Sequence, residues 1–81
     1  MATKIEYIRC YYLHLVIDYI FESKDRIKGG KETIDSCINS WEKARDVVVP
    51  GTEPYLKDVL GFLKNNSENI RQIIIHNSDS G

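Results

Sequence analysis

The feature that most constrains this chain is its opening third. From Thr3 to Arg26 there is no glycine and no proline, and apolar side chains fall on nearly every side of a helical projection. The segment is too long for an ordinary strand, so it reads as a helix, against the strand propensity of its tyrosines and isoleucines. Ile5, Ile8, Tyr12, Leu15, Val16 and Tyr19 share one face. Around the rest of the helix, Tyr7, Cys10, Tyr11, Leu13, Ile17, Ile20 and Phe21 leave almost no polar flank. A helix apolar all round requires cover on several sides. The chain has 81 residues and 9.4 kDa with which to supply it. A domain of that size builds one modest core and has little room for an enclosed substrate cavity. The mismatch argues for a homodimer or for a groove on a partner.

Turn signals divide the rest of the chain. They are Lys28-Gly29-Gly30, the run from Pro50 to Pro54, Asn65-Asn66-Ser67, and a polar tail over residues 77–81. Between the first two, Ile34, Cys37, Ile38, Trp41, Ala44 and Val48 repeat at three- and four-residue spacings. That is a cleanly amphipathic helix from about Lys31 to Val48, with Trp41 at the centre of its core stripe. Gly29 or Gly30 is expected to take the left-handed conformation that ends the preceding helix. Thr52, Glu53 and Pro54 open a third helix whose inner stripe is Leu56, Val59, Leu60 and Leu63, flanked by Tyr55 and Phe62. Ser67-Glu68 can start a fourth, with Ile70, Ile73 and Ile74 facing inward. The run Ile73-Ile74-Ile75 also suits a strand, and the last two segments also suit one bent helix. The expectation is an all-α single domain over residues 1–81, a small three- or four-helix bundle, homodimeric rather than monomeric.

Eleven Lys and Arg against twelve Asp and Glu give a net charge of −1. Net charge alone will not draw such a chain to nucleic acid or to an anionic membrane. Arg9, His14 and Asp18 interrupt the apolar run from Ile5 to Phe21, short of the roughly 20 apolar residues that cross a bilayer. The N-terminus lacks a secretory signal pattern. Cys10 and Cys37 are far apart and in no metal-binding spacing. They read as two buried, reduced thiols in a cytoplasmic protein.

Motifs with chemistry are faint. Lys28-Gly29-Gly30-Lys31 resembles a phosphate loop only loosely, because Asp25 replaces the first glycine and Glu32 the hydroxyl residue. Lys24, Arg26, Lys28 and Lys31 could at most hold a loose anion there. Cys10, His14 and Asp18 fall in line at four-residue steps, but a metal site or a catalytic pair needs further groups and a cleft. No catalytic, cofactor or metal site is assigned. A helix-turn-helix reader would need a basic stripe, and neither the second nor the third helix carries one.

The surface feature that stands out is on the first helix. Tyr7, Tyr11, His14 and Asp18 lie on one side, at spacings of four, three and four. Tyrosine buries a large ring while keeping a hydrogen-bonding tip, which makes such a stripe a candidate protein-binding surface. The competing reading places the tyrosines in the core under the third or fourth helix. The sequence thus points to a non-enzymatic protein-binding module, such as an inhibitor, immunity protein or adaptor that covers a partner's functional surface. The alternatives are a helical nucleic-acid-binding regulator and a structural dimerisation module whose tyrosine stripe is its own interface.

Overall fold

The computed structural model describes residues 4–44 and 48–77. Residues 1–3, residues 45–47 and the tail 78–81 lie outside the described residues. Five helices follow one another: α1 (Lys4–Glu22), α2 (Lys24–Lys28), α3 (Ile34–Ala44), α4 (Glu53–Asn65) and α5 (Ser67–Asn77). Among the described residues there is no strand. The fold is therefore all-α, with four helices of eleven residues or more and one single-turn helix, α2.

The expected first helix does not run on to Arg26. It breaks at Ser23, a buried residue whose hydroxyl donates to the Tyr19 carbonyl at 3.2 Å. A serine bonding back to the carbonyl four residues earlier competes with the helical ladder and bends it. α3 begins later than Lys31. Of the two glycines it is Gly30 that is left-handed, at φ 76°. Thr33 and Ser36 then cap the helix reciprocally: each backbone N–H donates to the other's hydroxyl, both at 3.0 Å. Val48 is already outside the helix. The isoleucine run near the C-terminus is helical, and it belongs to a helix separated from α4 only by Asn66. The Asn66 side-chain amide donates to the Phe62 carbonyl at 2.8 Å, which closes α4.

α1 packs against α3 and α4, while α5 lies against α2, α3 and α4. The core takes Tyr12, Val16 and Ile20 from α1, and Ile27 from α2. α3 contributes Ile34, Cys37, Ile38 and Trp41, and α4 contributes Leu56, Val59, Leu60 and Leu63. α5 adds Ile74. Four facings read from the sequence are corrected by the structure, the first being Ala44 of the α3 stripe, which is exposed. Ile5, placed on the inner face of α1, is exposed, and Ile20, placed on its flank, is fully buried. A stripe of four-residue steps is inclined to the helix axis, so the contact line drifts around α1 toward Ile20. Ile73 is likewise exposed, because Ile74 and the half-buried Ile70 already fill the contact of α5.

One polar cluster ties the 48–52 segment to α1. The Val49 N–H donates to the Tyr12 phenol oxygen at 2.9 Å. The Thr52 hydroxyl donates its single proton to the Val49 carbonyl at 2.6 Å. The 2.6 Å contact between the Tyr12 and Thr52 oxygens is therefore donated by tyrosine. Three hydrogen bonds form a closed ring. Thr52 does precede α4 as expected, but its side chain serves this ring instead of capping the helix.

Candidate functional site

With Tyr12, Val16 and Ile20 turned inward, residues on the far side of α1 must face out. Tyr7 is 68% exposed and Tyr11 46%. The His14 and Asp18 side chains are exposed as well, with His14 Nε2 3.5 Å from Asp18 Oδ2. All four residues singled out in the sequence thus share the outward face, and the reading that buries the tyrosines is set aside. Trp41, by contrast, sits in the core as its stripe requires.

This face has firm support. The Tyr11 ring leans on the Tyr12 ring, with centroids 5.3 Å apart and planes tilted by 56°. Tyr12 is itself held by the ring of three hydrogen bonds, so the rotamer of Tyr11 rests on a fixed neighbour. Beside the stripe, an open groove of about 570 Å³ is walled by Lys4, Tyr7, Ile8 and Tyr11 on one side and by Val49 and Pro50 on the other. Tyr12 and Thr52 complete its lining. A second groove of about 370 Å³ runs between α1 and α4, lined by Arg9, Cys10, Leu13, Asp58, Val59 and Phe62. Arg9 donates to Asp58 at 3.0 Å and lies 5.9 Å from the centre of the Tyr55 ring. Both partners of that ion pair are about half exposed or more, so it orients the groove wall more than it stabilises the fold. Phe62 and Val49 were not singled out from the sequence as surface residues. Phe62 could have been, as an aromatic beside the inner stripe of α4 and not within it.

The cysteines separate. Cys37 is fully buried, but Cys10 is exposed, and the two are free. The expectation of two buried thiols therefore fails at Cys10, which borders the open groove between α1 and α4. Burial pushes the Cys37 thiol above its ordinary pKa, against a smaller opposing effect of its hydrogen bond with Ser23.

Of the four basic residues around the glycine turn, Arg26 is engaged within the fold. The Arg26 guanidinium donates to Glu32 at 2.8 Å and to the Ser23 hydroxyl at 2.9 Å, and its pKa is raised by that carboxylate. The Thr33 side chain occupies an N-terminal amide of α3. Among the described residues no three His, Cys, Asp or Glu side chains gather where a metal ion could be held. No helix among them is long and apolar enough to cross a membrane. No protein-family model, curated protein or solved structure matches this chain.

Proposed function

We propose that the chain is a protein-binding module, not an enzyme, and that it docks through the outward face of α1. One observation carries the reading: Tyr7, Tyr11, His14 and Asp18 all emerge on one exposed face, flanked by two open apolar grooves. Exposed aromatic rings beside hydrogen-bonding groups are the residue chemistry on which protein interfaces concentrate their energy. An inhibitor, immunity protein or adaptor would use such a face to cover its partner. The nucleic-acid alternative is less favoured, since α3 and α4 mix acidic with basic residues and carry no basic stripe.

The test is a photoreactive phenylalanine placed at Tyr11, with a control at the exposed Asn39 of α3. Irradiation of cells producing the chain should give discrete protein adducts from position 11 and none from position 39. Absence of adducts from position 11, or the same adducts from both positions, would overturn the reading.

A further inference from the structure

We propose that Asn66 is a hinge through which α5 exchanges between two copies of this chain. In the exchanged pair α4 and α5 straighten into one helix, and each α5 docks in the slot left by the other. The inference does not depend on the docking face of α1, which such a pair leaves free and presents twice.

The junction is a helix with three rungs missing. Only Asn66 separates α4 from α5. Its backbone stands at φ −111° and ψ 18°, so turns of about 50° in φ and about 60° in ψ make it helical. The ladder already runs through it. The Asn66 N–H donates to the Phe62 carbonyl at 3.1 Å, and the Asn66 carbonyl accepts from the Ile70 N–H at 3.0 Å. Both are the four-residue steps of an α-helix. The N–H groups of Ser67, Glu68 and Asn69 open α5 and have no carbonyl within it to bond. Straightening aims them at the carbonyls of Leu63, Lys64 and Asn65. Two features hold the bend. The Asn66 side-chain amide donates to the Phe62 carbonyl at 2.8 Å, and Asn65, Asn66 and Ser67 are residue types that favour a break over a helix interior.

The helix beyond the hinge is lightly held. Of the isoleucines on α5 only Ile74 is fully buried, and Ile73 is 49% exposed. Release of α5 therefore withdraws one core side chain, with the partly buried Ile70 beside it. A chain opened alone would leave Ile74 and the core residues beneath it in water. The α5 of a second copy restores each contact with α2, α3 and α4, because it is the same helix. Exchange thus gives up the Asn66 side-chain bond and the freedom of two separate chains, and it gains three backbone rungs per chain. A hinge of one residue is the kind that invites such exchange. The consequence is a monomer at micromolar concentration that forms a slowly separating pair near about 1 mM.

The experiment is light scattering on a size-exclusion column, with the full chain held overnight at about 1 mM before loading. A second species of twice 9.4 kDa should appear beside the monomer. Asn66→Ala removes the side-chain bond that holds the bend and favours a continuous helix, so it should raise the dimerisation constant at least about tenfold. Glu68→Pro should lower it at least about a hundredfold, because proline forfeits the rung to Lys64 and clashes with that carbonyl in a straight helix. The bent monomer accepts proline there. In α4 the same place holds Pro54, after a cap at φ −108° and ψ 7° that nearly matches Asn66. Unchanged helical circular dichroism of dilute samples will show that both variants fold. A native chain that stays monomeric at about 1 mM overturns the inference. So does a dimer that Glu68→Pro leaves intact, or one that Asn66→Ala fails to strengthen. None of these outcomes bears on the docking face, since both substitutions lie outside α1.

Discussion

Replacing Tyr12 by phenylalanine removes one oxygen and leaves the ring that fills the core. That oxygen accepts from the Val49 N–H and donates to the Thr52 hydroxyl, with Tyr12 fully buried and Thr52 nearly so. Without it the Val49 N–H loses its acceptor and Thr52 its incoming proton, while the Thr52–Val49 bond remains. An unsatisfied buried group costs about 1–3 kcal/mol. The Val49 side chain is half exposed, so water can reach part of this site. The expected loss is therefore about 2 kcal/mol, in the middle of that range. For a domain of this length that lowers the melting temperature by about 8–16 °C. Thermal and urea unfolding followed by circular dichroism measure it directly. Thr52→Val removes a different member of the ring at nearly constant volume. The double variant should then cost well under the summed single losses, because each single change already breaks the same unit. A shift below about 2 °C for Tyr12→Phe, too small for even one lost hydrogen bond, would refute the reasoning. So would strict additivity of the two changes.

The two thiols should differ sharply toward a water-soluble alkylating reagent. The native chain should consume one equivalent rapidly at the exposed Cys10, and the second should react only on unfolding, since Cys37 is buried; fast uptake of two equivalents would contradict the packing of α3. Cys37 also predicts how stability changes at alkaline pH. Burial raises the pKa of its thiol in the fold, whereas in the unfolded chain it ionises near its ordinary value of 9.0. Below about pH 8 both states keep the proton and stability is level on this account. Above it the unfolded state binds fewer protons, so stability falls with rising pH, by up to about 1.4 kcal/mol per pH unit. Urea midpoints between about pH 8 and about pH 9.5 should fall more steeply in the native sequence than in Cys37→Ala. Parallel slopes would show that Cys37 ionises equally in both states.

How far the sequence could be read depended on how sharply each helix separates its faces. α3 carries charges and amides on one side and Ile34, Cys37, Ile38 and Trp41 on the other, so these four were legible as its buried set; Ala44, read on the same stripe, is exposed at the helix end, and Val48 is half-buried beyond it. The Leu56, Val59, Leu60 and Leu63 stripe of α4 was equally plain. α1 has apolar residues around its whole circumference, and periodicity alone could not settle which meridian faces in; hence the errors at Ile5 and Ile20. Ser23 looked like any polar position near a helix end, and only its burial beside Tyr19 made it a break. The ring formed by Tyr12, Val49 and Thr52 joins residues about 40 apart in the chain, and nothing local to any of them announces it.

The outward stripe comes from the same circumstance that made α1 hard to read. Tyr11 and Tyr12 are adjacent and chemically identical, yet Tyr12 is fully buried and Tyr11 46% exposed. About 100° of helical rotation separates them, and the contact with α3 and α4 covers only one side of α1. α5 lies against α2, α3 and α4, and on the opposite side of α1 Tyr7, Tyr11, His14 and Asp18 stay exposed. Exposed aromatic surface costs solubility and gains nothing for the isolated fold. Its concentration on one helix is the pattern expected where a second protein surface completes the burial.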